Sequence, residues 1–547
     1  MEIYFYRLEG ESKGRLSLAI EVDFWYWEKQ GKKLAEVCLA SSLREAWSLV
    51  SGQRGRFKKL AKKTFKHRCP MPLEQACHLF SLLAGRALLW QEVNRLVENH
   101  SLDIDLKSLK RALQILILEQ KCQLKPGVIK RGSVRKWQCE RCHYQGAEIK
   151  ATVCSSCGGE CAVCEHCILM GRSSACTPFF LFEPGKRQQA KPKVNFGALS
   201  LTKGQQSVSR KIETLLDRQE KRVLVWAVTG AGKTEVMYPL IKKWLDRGKR
   251  ILWATPRKDV VLELYPRFTK VFSESQVIAL YGGSPQRWLS SSLVLATCHQ
   301  VWRYYRYFDL VIVDEADAFP LYGDPALELG LYRAAVLDGQ LVLLTATPPV
   351  SWQDAAKRGR LATVMLPMRY HGCPLPIPKL FLERRLWKKI RKGKTIGTLS
   401  RFLHHVEEHQ GQAFIFVPRV QDISLMLRWL KENAPSFFAK ARGVHARDPF
   451  REQRIREFRQ GEWKILVTTT ILERGVTVPH CHVLVVGGDH PVFDETTLVQ
   501  IAGRVGRNKD YQKGVVWFLA EEKTRAQQLA LKELRMLNHF AEKEGFY

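Results

Sequence analysis

The sequence predicts an α/β protein: two lobes, each a parallel sheet covered by helices, preceded by a cysteine-rich metal module and an N-terminal mixed α/β region. Three observations predict it. From about residue 199 onward, short apolar runs alternate with helical patterns, which implies strand–helix–strand units and parallel sheets. Buried strands are expected at 223–226, 251–254, 293–296, 310–313 and 341–344, and a second series at 413–417, 464–468 and 482–486. The break between the series is the proline-rich stretch Pro374-Leu-Pro-Ile-Pro378. Eight cysteines crowd between Cys139 and Cys176. The length, 547 residues, allows several domains at roughly one per 150 residues. The expected boundaries are an N-terminal domain over 1–135, a multi-cysteine zinc module over 136–180, a linker over 181–198, and lobes over 199–372 and 379–547.

The N-terminal region opens with strand-like pieces at 3–7 and 35–40. From Pro72 to Lys121 the apolar spacing is helical, as in Leu106, Leu109, Leu113 and Leu116. Between them, residues 54–68 carry eight Lys/Arg with Phe57 and Phe65 interleaved. That stretch suits phosphate contact with base stacking, and equally suits a solvated helix face. Residues 183–193 are polar, contain two prolines and lack apolar periodicity, so they read as linker.

Charge narrows the partners. Lys and Arg number 87 against 54 acids, for a net charge of +33. Such a field favours a polyanion, either nucleic acid or an anionic membrane face. No run approaches the ~18 apolar residues of a membrane span. The opening Met1-Glu-Ile-Tyr-Phe-Tyr-Arg7 lacks a basic stretch followed by an apolar one, so no signal peptide is expected. A cytoplasmic location follows as the expectation, and with it reduced cysteines.

The clustered cysteines are spaced Cys139-x2-Cys142, Cys154-x2-Cys157, Cys161, Cys164-x2-Cys167 and Cys176. Two Cys-x-x-Cys knuckles can bring four thiolates to a tetrahedral Zn²⁺. An iron–sulfur cluster is the alternative, since it too takes four thiolates. Eight cysteines suffice for two zinc ions or for one with thiols to spare, and the spacing leaves their partition open. His143 and His166 are further ligand candidates. The metal's expected role is structural, because the segment is too poor in apolar residues to build a core.

The first lobe holds Ala227-Val-Thr-Gly-Ala-Gly-Lys-Thr234 between an apolar strand and a helical stretch. Such a loop wraps a polyphosphate in backbone N–H groups at a helix N-terminus. Thr229, Gly230, Ala231, Gly232, Lys233 and Thr234 are therefore the expected ATP-binding residues. Lys233 reaches the β- and γ-phosphates and Thr234 ligates Mg²⁺. The loop starts with Ala227 where the simplest pattern has Gly. About eighty residues on, Val311-Ile-Val-Asp-Glu-Ala-Asp317 ends an apolar run. Asp314 is the expected second Mg²⁺ ligand, and Glu315 the residue that orients or deprotonates the attacking water. The second lobe ends its series with Gln500-Ile-Ala-Gly-Arg-Val-Gly-Arg507. Arg504 and Arg507, three apart, fall on one face of a helix and suit the charge spread over a transferring phosphoryl group.

Further pieces complete the order: Leu201-Thr-Lys-Gly-Gln205, Thr255-Pro-Arg257, Ala296-Thr-Cys-His-Gln300, Thr345-Ala-Thr347, Ala413-Phe-Ile-Phe-Val-Pro418 and Thr468-Thr-Thr-Ile-Leu-Glu-Arg-Gly475. The whole resembles the motif series of a superfamily 2 helicase, two RecA-like lobes with ATP between them. The resemblance implies that Gln205 reads adenine and that Gln500 joins Lys233, Asp314, Glu315, Arg504 and Arg507 in catalysis. It places single-stranded DNA on Thr255-Pro-Arg257, Thr297 and the Thr468–Thr470 region. Thr477 stands where an aspartate usually meets the ribose, so no ribose contact is assigned there. The basic run 384–394 is a further DNA-contact candidate or a solvated face.

A narrower resemblance covers residues 137–520. Cys164-Glu-His-Cys-Ile-Leu-Met-Gly171, Trp226-Ala-Val-Thr-Gly-Ala-Gly-Lys-Thr-Glu235 and Thr470-Ile-Leu-Glu-Arg-Gly475 together are similar to the ComFA family, competence ATPases of transformable bacteria. This implies an ATP-driven motor on single-stranded DNA, peripheral on the inner face of the cell membrane, that draws in transforming DNA. The implied partners are ComEC, ComFC and DprA, with a homo-oligomer left open. Two alternatives stay open: a PriA-like replication-restart helicase, and a DNA-binding scaffold whose ATPase acts as a switch. PriA carries its zinc module between the lobes, whereas here every clustered cysteine precedes Lys233. A DEAD-box RNA helicase fits less well, because Gln500 stands where His is usual.

Overall fold

The computed structural model describes residues 2–51, 58–59, 73–131, 136–155, 157, 159–185, 201–273, 277–470, 478–506, 511 and 514–545. The basic stretch 54–68 apart from the backbone of 58–59, most of the 181–198 linker, the segment 471–477 with Thr477, and Arg507 lie outside the described residues. The chain divides into two units, Met1–Gly197 with Lys242–Leu341, and Ala198–Ile241 with Val342–Tyr547. Among the described residues no helix is long and apolar enough to cross a membrane.

The first unit begins with an antiparallel sheet in the order Gly14–Ser17, Ile3–Leu8, Leu34–Ala40, Lys58–Lys59. Helix Leu43–Val50 starts where the Ser42 side chain accepts the Glu45 N–H. Helix Leu106–Leu118 starts at Asp105, whose Oδ1 accepts the Ser108 N–H at 2.9 Å. It buries Leu109, Leu113 and Leu116 as the periodicity predicts, while Leu106 in its first turn stays exposed. These leucines join Val22, Leu43, Leu83 and Leu96 in one core.

A second, three-stranded sheet sets strand Pro178–Phe182 between Ala87–Leu89 and Cys122–Pro126. Phe180 sits opposite both Leu88 and Leu124. The cysteine-rich segment is thus an excursion that leaves this sheet after Pro126 and returns at Pro178. It consists of a hairpin, Val128–Arg131 with Lys136–Cys139, and a sheet of Ile149–Cys154, Gly159–Cys164 and Ser173–Ser174.

The predicted parallel sheets are present. In the first unit the order runs Val277–Leu280, Leu293–Thr297, Ile251–Thr255, Phe308–Asp314, Ala335–Thr345. The last strand continues into the second unit, where it neighbours Arg222–Ala227 and that strand pairs in parallel with Ala362–Leu366. The second unit's own six-stranded sheet runs Lys379–Leu382, Val516–Ala520, Cys481–Val486, Gln412–Phe416, Ile465–Thr468, Ala441–Val444. Every pair in it is parallel. Ile415, Val467 and Leu484 of its central strands are buried with Leu399, Phe402 and Met426 of the covering helices.

Candidate active site and metal centres

In the second unit, strand Arg222–Ala227 delivers the chain into the phosphate loop, and helix Lys233–Asp246 carries it away. Gly230 and Gly232 take φ of +80° and +79°, a conformation that strains any L side chain. At Gly232 a side chain would also strike the Gln205 amide. That amide is fully engaged. Its Oε1 accepts the Thr202 N–H at 3.0 Å, completing the cap of helix Lys203–Asp217. Its Nε2 donates to the Ala231 carbonyl at 2.9 Å. Gln205 thereby ties the loop to the preceding helix. Lys233 is half-buried and Thr234 buried, at the helix start where backbone N–H groups lack intrahelical partners. The loop and helix start fit a polyphosphate, and the Thr234 hydroxyl fits a Mg²⁺ ligand.

The same unit brings three distant stretches to this loop. Gln500, from helix Glu495–Ala502, donates from Nε2 to Thr347 Oγ1 at 2.9 Å. Thr347 N–H donates in turn to Thr345 Oγ1 at 3.0 Å, and Trp226 Nε1–H to the Ala346 carbonyl at 3.2 Å. Gly503 lies so close to Thr229 that a side chain there would collide with it. Arg504 is buried, with its guanidinium 5.8 Å from the Phe414 ring centre. Arg369 was not anticipated. It is 1% exposed, and it donates to the Gly506 carbonyl at 2.8 Å and the Gly503 carbonyl at 3.4 Å. His371 Nε2 reaches the Gly506 carbonyl at 2.8 Å. These two side chains hold the arginine-bearing turn, and no motif marks Met368-Arg-Tyr-His371 in the sequence.

In the first unit, Asp314 closes strand Phe308–Asp314 and its Oδ1 accepts the Glu315 N–H at 2.9 Å. Glu315 has φ +51°, unusual for a residue with a side chain, so the turn aims its carboxylate at some conformational cost. Glu315 Oε2 lies 3.9 Å from Arg257 Nε. The acid expected to handle water and an arginine expected to touch DNA are therefore ion-paired.

The cysteines resolve into two four-thiol clusters. Cys139 and Cys142 join Cys164 and Cys167, and Cys154 and Cys157 join Cys161 and Cys176. Within the first, Cys139–Cys167 and Cys142–Cys164 sulfurs are 3.8 and 3.7 Å apart; in the second, Cys154–Cys176 and Cys161–Cys176 are 3.7 and 3.9 Å. A tetrahedral ion with ~2.3 Å metal–sulfur bonds has edges of about 3.8 Å, so the sulfurs stand at zinc spacing. Neighbouring thiols Cys139, Cys164 and Cys167 push the Cys142 thiol far above its ordinary value. Four thiols this close cannot all ionise unless a cation shares the site. His143 and His166 belong to neither cluster. His166 instead contacts Glu148 at 2.9 Å and Asp324 at 3.2 Å and stacks on Tyr144.

The module is keyed into the helicase part of its unit. Arg333 donates to the Glu140 carbonyl at 3.1 Å and the Trp302 carbonyl at 2.6 Å. Met170 Sδ lies 3.5 Å from Gln300 Nε2 and 3.6 Å from Arg303 Nη1. Arg303 Nε then donates to Glu92 Oε1 at 2.7 Å, with both groups under a tenth exposed. Burial pushes the Glu92 carboxyl up, but Arg303 and Arg141 outweigh it and hold it below the usual range. Removing one partner of a buried pair costs about 3–5 kcal/mol. Glu92→Gln should therefore lower urea stability by about 3 kcal/mol at neutral pH. A carboxyl held low is stabilising above its unfolded pKa and loses that contribution as pH falls through its folded value. The deficit should accordingly shrink below about pH 4.

Comparison with known proteins agrees with this arrangement. Residues 73–181 match the "Competence protein ComFA N-terminal domain" model, 202–355 the "DEAD/DEAH box helicase" model, and 394–509 the "Helicase conserved C-terminal domain" model. The chain is 36% identical over 411 residues to competence protein ComFA of Bacillus subtilis (strain 168), covering 75% of this chain and 87% of that one. It is 35% identical over 375 residues to ComFA of Streptococcus pneumoniae (strain ATCC BAA-255 / R6), covering 69% and 85%. Replication restart protein PriA of Rickettsia conorii (strain ATCC VR-613 / Malish 7) matches at 26% over 208 residues, covering 36% and 32%. With both helicase domains, an N-terminal domain of the competence type and identity above one third along most of its length, the chain belongs to the ComFA family.

Proposed function

We propose that the protein is an ATP-driven translocase on single-stranded DNA that powers import of transforming DNA during natural competence. The superfamily 2 ATPase domains and the ComFA relationship support the general reading. The observation that carries the motor reading is the Arg257–Glu315 pair, because it links a DNA-contact candidate to the acid that handles water. In this reading Lys233 holds the β- and γ-phosphates of the substrate ATP, with Gln205 and the backbone of Thr229, Gly230, Ala231 and Gly232 shaping the loop. Thr234 and Asp314 are the proposed Mg²⁺ ligands, and the ion would supply charge neutralisation at the phosphates. Glu315 orients the attacking water. Gln500 bonds Thr347, while Arg504 and Arg507 counter the charge that develops on the transferring group. A phosphate backbone competing for Arg257 would release Glu315 for catalysis, which gives DNA-stimulated turnover a physical route.

The two thiol clusters are assigned Zn²⁺ in a structural role. ComEC, ComFC and DprA are the proposed partners, and a peripheral position on the inner face of the membrane the proposed location. Thr255-Pro-Arg257, Thr297 and the Thr468–Thr470 region are the proposed DNA contacts. The proposed domains are 1–135, 136–180, 199–372 and 379–547, with 181–198 as the linker between the second and third; residues 178–182 form a strand of the N-terminal region's three-stranded sheet.

The test separates a motor from a switch-like scaffold. Streptavidin on a terminal biotin of single-stranded DNA should be displaced by the wild type with ATP, and not by Lys233→Ala. Binding should fall steeply with added salt and vary little with base sequence, because phosphate contacts supply the affinity. Continued ATP hydrolysis with no displacement from either strand end would favour the scaffold.

A further inference from the structure

Away from the phosphate loop and the cysteine clusters, the second unit gathers four histidines at the amino ends of its strands. Helix Gly397–Glu408 presents His405, Glu408 and, at its C-cap, His409. This is an i, i+3, i+4 arrangement, which places all three on one face of the last turn. One ligand atom from each lies within 4.8 Å of the others. His482, second residue of strand Cys481–Val486, stands edge-on to His405 with ring centres 5.1 Å apart. His480 lies next to His482 at 5.3 Å.

Three details suit a cation here. His409 Nδ1 bonds the His405 carbonyl at 3.0 Å, as a donor. That bond fixes the tautomer and leaves the Nε2 lone pair outward, the orientation a metal-ligating imidazole takes from its outer partner. The three groups sit at a helix C-terminus, where the backbone dipole favours positive charge. His482 is fully buried and its Nδ1 accepts the Val515 N–H at 3.4 Å, so its Nε2 carries the proton and the ring packs beside the three groups without joining them as a ligand. The rings of His405 and His409 are 4.0 Å apart, a close approach of two groups that repel when both are protonated. Sharing one metal ion turns that proximity into an advantage.

We propose that His405, Glu408 and His409 form a divalent transition-metal site, best matched to Zn²⁺, which clips the end of helix Gly397–Glu408 beside strand Cys481–Val486. Two imidazoles and a carboxylate are a borderline donor set, which suits zinc and nickel and disfavours magnesium and calcium. Donor atoms on one zinc at ~2.0–2.1 Å lie about 3.3 Å apart, against a present spacing of at most 4.8 Å. Water completes the coordination on the exposed side. The site is independent of the cysteine clusters, sharing no residue and no sequence segment with them.

The experiment uses the full chain with its thiol clusters already filled with zinc. Isothermal titration with Zn²⁺ should show one further site, weakened at least tenfold in His405→Gln/His409→Gln. Co²⁺ added to the same zinc-filled chain should give a weak visible band of nitrogen and oxygen ligands. Thiolate charge-transfer absorption should stay absent. Added Zn²⁺ should raise the melting temperature of the wild type more than that of the double variant. If the double variant fails to fold, the exposed single changes Glu408→Gln and His409→Gln are each expected to weaken binding. No zinc binding beyond the thiol clusters, or equal binding by wild type and variants, would overturn the site.

Discussion

Glu315→Gln should leave nucleotide binding in place and slow ATP turnover on the order of 10²–10⁴-fold, the usual contribution of a positioned acid–base group. The amide keeps the shape of the side chain, so the left-handed turn after Asp314 persists and Asp314 still accepts the residue-315 N–H. What is lost is the charge that polarises water, together with the ion pair to Arg257. Lys233→Ala acts earlier. It removes the cation at the mouth of the phosphate loop, so both affinity and turnover should fall. Fluorescent-nucleotide binding measured beside steady-state hydrolysis with single-stranded DNA separates the two outcomes. Full DNA-stimulated hydrolysis in either variant would remove that residue from its assigned role.

Replacing Cys139 and Cys142 together by Ser should lower thiolate-bound zinc from two ions per chain to one, because the second cluster draws on different thiols. Structural zinc contributes about 10–16 kcal/mol in small domains at neutral pH, so an emptied site cannot hold its fold on packing alone. The loss should spread first to Glu140 and Arg141, whose carbonyls accept from Arg333. Protease cutting between residues 127 and 177 should speed up, while the phosphate loop stays able to bind nucleotide. Metal analysis by mass spectrometry with limited proteolysis reads both effects. Iron with visible absorbance, or no metal in the wild type, would sink the zinc assignment.

The parallel sheets were legible because their central strands are unbroken apolar runs. The strands that escaped notice were mainly at sheet edges. Ala441–Val444 carries Arg442 and Gly443, and Lys379–Leu382 is exposed at both ends, so neither shows the buried pattern. The placement of the phosphate loop between a strand and a helix, and of Asp314-Glu315 at a strand end, was legible from residue order. The hold of Arg369 and His371 on the turn after Gly503 was not, since it rests on backbone carbonyls that leave no mark in the sequence. That the cysteines gather at metal-ligand spacing was legible, but the partition of thiols was not. It depends on the hairpin in which Ile149 faces Cys164 and Cys154 faces Gly159. Six residues of extended chain, roughly 17 Å from first to last, carry Cys154 and Cys164 to opposite ends and into different clusters.

The return of the chain at Pro178, directly opposite Pro126, has a consequence for how this protein tolerates change. The fifty-odd residues between these prolines form a detour whose exit and entrance are already neighbours. A short turn could bridge them without disturbing the pairing of Phe179 with Lys125 and Leu89. The host sheet therefore places little constraint on the detour's length, and insertions or trimming there are sterically cheap. What such editing would sever is the reach of Met170 to Gln300 and Arg303, and the bonds from Arg333 to the Glu140 and Arg141 carbonyls. The cysteine-rich loop is in this sense a removable attachment, held in register by its tip as much as by its root.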